Sequence, residues 1–185
     1  MTTILVIIGI VLLLFIVMYN SLIGKKNNVE NAFGSVDVML KKRYDLIPNL
    51  VETVKQYMTH EKDTLTQITE LRTKAMGGGL SSDEKVSLEN QLTKALGGIM
   101  VAVENYPDLK ASNNFDLLQR SWNEAEEQIS AARRSYNATV TAYNNGVEMF
   151  PTNVIAQMLN YARKEVFEIP ETERQNISAK DLFNG

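Results

Sequence analysis

His60 is the only histidine in the chain, and with Glu61 it opens the helical zinc-protease pattern H-E-x-x-H. That pattern needs a second histidine four residues on, because two imidazoles one turn apart share a helix face and can grip one metal ion. Position 64 is Thr64, so the pattern is incomplete and His60 reads as a surface or seam residue. The stretch "GGGLSS" at 77–82 has glycines but lacks the lysine and spacing of a phosphate-binding loop, so it reads as a flexible connection. The absence of cysteine removes disulfides, thiolate metal sites and a thiol nucleophile. A serine–histidine–acid set could be built only around His60, and nothing marks its partners. Carboxylates are plentiful, but no pair stands out. The sequence therefore predicts no catalytic residue, no cofactor and no metal site. A net charge of −3 also argues against a generally basic nucleic-acid binder.

Other polar groups are placed less routinely. In "KKRYDLIPNLVETVKQY", Lys41–Tyr57, Pro48 has no N–H and its ring crowds the carbonyl of Tyr44. Arg43 falls on an apolar stripe between Leu40 and Ile47. It either snorkels from the edge of that stripe or sits in a seam, paired with a carboxylate or other polar groups. Asp37, Lys41 and Asp45 are four apart, a ladder that supports a helix by a few tenths of a kcal/mol per pair. In "YNATVTAYN", Tyr136 and Tyr143 are one heptad apart, as are Asn137 and Asn144. The asparagines could form interhelical hydrogen bonds that set register or oligomeric state, or be partly exposed near a loop. Arg133 and Arg134 read as part of a charged face.

The elements that carry these residues follow from hydropathy and periodicity. Ile4 to Ile23 has no charge and is long enough, at about 1.5 Å per residue, to cross the hydrocarbon of a bilayer as a helix. A cleaved signal peptide fits poorly, since "MTT" supplies no basic region and no small-residue cleavage site follows. Lysines and arginines follow the span (Lys25, Lys26, Lys41, Lys42, Arg43) and none precede it. The expectation is a single-pass protein of the cell (inner) membrane, with residues 1–3 outside and the helical domain in the cytoplasm. Lys25 and Lys26 are candidate contacts to anionic lipid headgroups.

Residues 24–28 look like a polar joint. From Val29 apolar residues recur in steps of three and four through Leu40, Ile47, Leu50 and Val54 to Leu71, keeping phase across Pro48. This predicts one helix that bends at Pro48 and continues; the alternative is a fresh helix capped by Asp45, with Pro48 in its first turn. "MGGGLSSDE" ends this segment, and Ser81 with Glu84 offers a capping box for a second helix over 82–104. That helix contains Gly97 and Gly98, for which a close neighbouring backbone or a bend would be the reason, and its stripe is Leu88, Leu92, Ala95, Ile99 and Val103. "NYPDLKASNN" is a turn. A heptad seam of about 36 residues runs from Phe115 to Phe150. Pro151 stops or bends it, a short helix begins near Asn153, and 169–185 is a polar, mobile tail. The predicted fold is all-α: an N-terminal transmembrane helix followed by a bundle of long antiparallel amphipathic helices over 29–168.

The assembled stretches resemble the LemA family of membrane proteins. They are "YNSLIGKKNNVENAF", "VDVMLKKRYDLIPNLVETVKQYMTHE", "YPDLKASNNFDLLQ", "ISAARRSYNATVTAYN" and "MFPTNVIA". The resemblance implies a bacterial or archaeal protein with one membrane segment and a helical soluble domain. It supplies no reaction, cofactor or catalytic residue. For some relatives it implies an association with membrane metalloproteases of the HtpX type. It also adds weight to Arg43, Tyr44, Asp45, Pro48 and Asn49 as a structural or interaction element. The function expected from the sequence is a membrane-anchored scaffold that forms homo-oligomers. A regulatory subunit of a membrane protease and a lipid sensor are the rivals.

Overall fold

In a computed structural model, residues 1–168 are described. Among them the chain forms six helices and no strand: α1 Thr2–Val54, α2 Lys62–Ala75, α3 Ser82–Val103, α4 Pro107–Lys110, α5 Asn113–Glu148 and α6 Thr152–Met158. The tail expected at 169–185 lies outside the described residues. The helices build two compact units, one from Met1–Arg43 with Glu124–Val166, the other from Tyr44–Asn123 with Phe167 and Glu168.

In the first unit α1 and α5 run antiparallel. Phe33 meets Tyr136 edge-on, with ring centroids 5.8 Å apart, and Arg43 meets Glu126 at 3.1 Å. Between these contacts the pairing advances ten residues along α1 and retreats ten along α5, as two helices of equal rise require. Val29, Val36 and Leu40 of α1 are fully buried, and so are Ile129, Tyr136 and Val140 of α5. The apolar stretch of α1 is long and hydrophobic enough to cross a membrane and no residue of it before Leu22 is buried, so it is not a core helix of this chain. Residues 24–28, expected as a joint, are helical and break nothing. One glycine flanked by ordinary helix formers costs only about 1 kcal/mol, which a long helix absorbs.

In the second unit α2 and α3 pack as a hairpin against the last turns of α1. The capping box at the start of α3 forms as expected. The Ser81 side chain accepts from the Glu84 backbone N–H at 3.2 Å, and Glu84 accepts from the Ser81 N–H at 2.8 Å. The helix also continues through Pro48, but only to Val54 and not to Leu71. Residues 55–61 turn, with Tyr57 and Met58 both donating to the Val54 carbonyl, and α2 starts afresh. The stripe misled because Met58 within the turn and Leu65 after it are both buried, so the phase survives without the helix. The expected close approach at Gly97 and Gly98 is not there: a Cβ on either would meet nothing within 4 Å. The turn at 105–112 encloses the one-turn helix α4, with Pro107 at its start, where its missing N–H costs nothing.

Candidate functional site

The polar groups singled out in the sequence fall into three places. The first is around Pro48. A proline inside a helix leaves the carbonyl four residues earlier without its usual donor. That carbonyl belongs to Tyr44, and Arg72 of α2 donates its Nε–H to it at 2.7 Å. The Tyr44 hydroxyl donates to the carboxylate of Glu89, which is fully buried on α3. One tyrosine thus ties α1 to both arms of the α2–α3 hairpin. Asp45, Pro48 and Asn49 are exposed on the other side of α1. Arg72 and Glu89 were not singled out in the sequence. The orphaned carbonyl does announce that some donor is needed, and Glu89 is in phase with Val86, Leu92 and Leu96; of the expected stripe Leu92, Ile99 and Val103 are buried, while Glu89 and Leu96 take the places of Leu88 and Ala95.

The second place is Arg43, in the first unit. Its side chain is 1% exposed and its Nη1 donates to Glu126 Oε1 at 3.1 Å. It does not snorkel; it is the seam arginine, and Lys42 bonds Gln128 beside it at 2.8 Å. Arg133, read as part of a charged face, is also buried, whereas Arg134 is exposed.

The third place is the end of α5. Asn144 donates to the Lys164 carbonyl at 3.0 Å and accepts from the Lys164 N–H at 2.9 Å, satisfying both backbone polar groups of one residue. Tyr143 donates to the Ala162 carbonyl at 3.1 Å and Tyr136 to that of Glu165 at 3.3 Å. These seam residues bind a non-helical segment of their own chain, where the sequence left interhelical hydrogen bonds or partial exposure near a loop open for the asparagines. Asn137 is half-buried next to them. Gly146 makes the close approach here: a Cβ on it would stand 3.1 Å from Lys25 Cδ and 3.2 Å from Leu22 Cδ1. Leu22 is fully buried with Ile155 and Ala156 of α6, and Met18, Val147, Leu159 and Tyr161 pack around them. Lys26 lies 5.9 Å from the centre of the Tyr161 ring and pairs with Glu30 at 3.2 Å.

His60 is exposed. No group of three or more histidine, aspartate or glutamate side chains among the described residues could hold a metal. An open groove of about 540 Å³ runs between the end of α1 and α2, with Val51, Met58 and Leu65 in its wall and Lys55 and Lys62 beside them.

The architecture is that of an all-helical protein whose N-terminal helix carries an uncovered apolar segment compatible with a membrane anchor. The chain belongs to the LemA family, whose model matches residues 32–180. It is similar to Protein LemA of Metamycoplasma hominis, 28% identical over 177 residues, covering 96% of this chain and 81% of that one. It is also similar to Magnetosome protein MamQ 2 of Paramagnetospirillum magneticum, 22% identical over 190 residues and covering 89% and 70% of the two chains. Magnetosome protein MamQ of Magnetospirillum gryphiswaldense is 22% identical over 178 residues, with 83% and 63% covered.

Proposed function

We propose that this protein is a single-pass, membrane-anchored helical scaffold or adaptor that self-associates and holds another membrane protein, with no catalysis of its own. One observation carries the reading: a bilayer-length apolar segment in which no residue before Leu22 is buried runs, within one unbroken helix, into the segment that carries Arg43 and Pro48. A helix clears the backbone polar groups from the hydrocarbon, and its continuation ties whatever the domain binds to the membrane. The lysines and arginines that follow the span favour a cytoplasmic domain in the cell membrane.

Self-association needs surfaces that the fold leaves uncovered, and the buried Tyr136 and Tyr143 are not among them. The span itself is, as are Val38, Val101 and Leu117, more than half exposed. Crosslinking in native membranes, followed by mass spectrometry, tests both halves of the reading. Expected are crosslinks between copies through exposed lysines and to a foreign membrane protein, with the domain resistant to protease added to spheroplasts. Light scattering that found a monomer at every concentration in detergent would remove self-association. Crosslinks to a membrane metalloprotease alone would replace the scaffold with a protease regulator.

A further inference from the structure

The corner between α5 and α6 presents a cluster of uncovered apolar side chains. Met149, Phe150, Val154 and Met158 are 62%, 82%, 50% and 68% exposed. They lie in a run of thirteen residues, Met149–Tyr161, that contains no charge, although the chain is 22% charged. Four large hydrophobes open to solvent on so short a stretch call for something to cover them.

Their position says what does. Leu22 and Met18 belong to the apolar span, and α6 is seated on them through Ile155 and Ala156. Gly146 touches Leu22 and Lys25, and α5 runs antiparallel to α1. Each step beyond Gly146 therefore descends along α1 toward the middle of the span, at about 1.5 Å per residue. The end of α5, Glu148, is level with Ser21, in the last turn of the apolar segment. Around the corner stand Lys25, Lys26, Tyr161 and Lys164, residue types that favour the boundary between hydrocarbon and headgroups, and Arg163, which pairs with Glu148 at the end of α5.

We propose that the α5–α6 corner enters the bilayer that α1 crosses, with Phe150, Met149, Val154 and Met158 inserted at the headgroup–acyl boundary. The protein then grips the membrane twice, by a spanning helix and by a wedge packed against its last turn. This rests on the membrane-anchored reading, so the test must be able to separate the two.

The chain has no cysteine, so single labels are unambiguous. Phe150→Cys, Leu12→Cys within the span, and Val38→Cys would each carry an environment-sensitive fluorophore. Val38 is exposed and lies fifteen residues beyond Ile23, about 22 Å further along the helix. The full chain is reconstituted in phosphatidylethanolamine–phosphatidylglycerol vesicles containing nitroxide lipids. The label at 150 should lose emission to nitroxides near the headgroup, that at 12 to nitroxides deep in the acyl chains, and that at 38 to neither. A label at 150 as unaffected by lipid as that at 38, while 12 is quenched, overturns the wedge and leaves the anchor. If 150 were also shielded from aqueous iodide, a second copy would be the cover, and the wedge would again be wrong. No quenching at 12 would overturn anchor and wedge together. Val154→Cys repeats the reading in case the label at 150 perturbs the corner.

Discussion

A helix that tolerates a proline must satisfy the carbonyl the proline abandons. Here Arg72 does so, with its guanidinium on the Tyr44 carbonyl at 2.7 Å. The charge-assisted bond and the proline form one device, so their effects should not add. Arg72→Ala is expected to cost about 1.5–3 kcal/mol in the native chain, where Pro48 offers the Tyr44 carbonyl no amide. In a Pro48→Ala background the new N–H at 48 can bond Tyr44, and the same substitution should cost about 1 kcal/mol less. Urea unfolding of the detergent-solubilised chain, followed by circular dichroism for both singles and the double, reads the coupling; strict additivity would sink the device. The sequence showed where the need lay, since Pro48 and Tyr44 are four apart. It could not show the donor, because α2 begins where no glycine or proline marks the break, and only the fold brings Arg72 home. Arg43 was legible in the same limited way: a charge on the stripe is visible, but Glu126 is one acidic residue among 22.

At the scale of the element, the start of α3 is local chemistry, and therefore legible: Ser81, three residues before Glu84, closes a ring of hydrogen bonds that needs no tertiary partner. The Ser81 backbone N–H, and then its hydroxyl, hold the Glu84 carboxyl below its ordinary value. A carboxyl depressed in the folded state lends stability above its unfolded pKa of about 4.5, and that contribution is lost as pH falls through the lower folded value. Ser81→Ala should cost about 1 kcal/mol at neutral pH. It should also flatten the acid limb of the stability–pH curve, measured by thermal unfolding from pH 6 to about 3. An unchanged acid limb would assign it to other carboxylates. The length of α5 was legible for the same kind of reason, since a seam of 36 residues repeats without slipping. The end of α1 was not, because a turn of the right length preserves phase. Nor was the segment held by Tyr143 and Asn144, since non-helical chain bound through its peptides leaves no pattern in its own side chains.

At the scale of the whole molecule, the decisive question is whether the span and the helices beyond it are one body or two pieces on a hinge. Lys–Lys–Asn–Asn after a glycine reads as a hinge, yet α1 passes through residues 24–28 without a break, and Lys25 lies against Gly146. The two possibilities differ sharply in how they receive proline. Asn27 is exposed, so a change there disturbs little packing. In a flexible joint Asn27→Pro would be nearly neutral. In a helix interior it deletes the bond to the carbonyl of residue 23 and crowds it, which costs about 3 kcal/mol or more. Asn27→Gly, which keeps the N–H and loses only propensity, should cost less than about 1 kcal/mol. Thermal unfolding of the full chain in detergent should therefore rank wild type, then Asn27→Gly, then Asn27→Pro, with a wide gap before the last. Because Leu22 and Lys25 also pack against α5 and α6, the proline should loosen that corner as well, visible as faster amide exchange across 144–159. Equal stability of all three would mean that the span hangs from a swivel, and that a partner bound to the domain is tethered to the bilayer without being oriented by it.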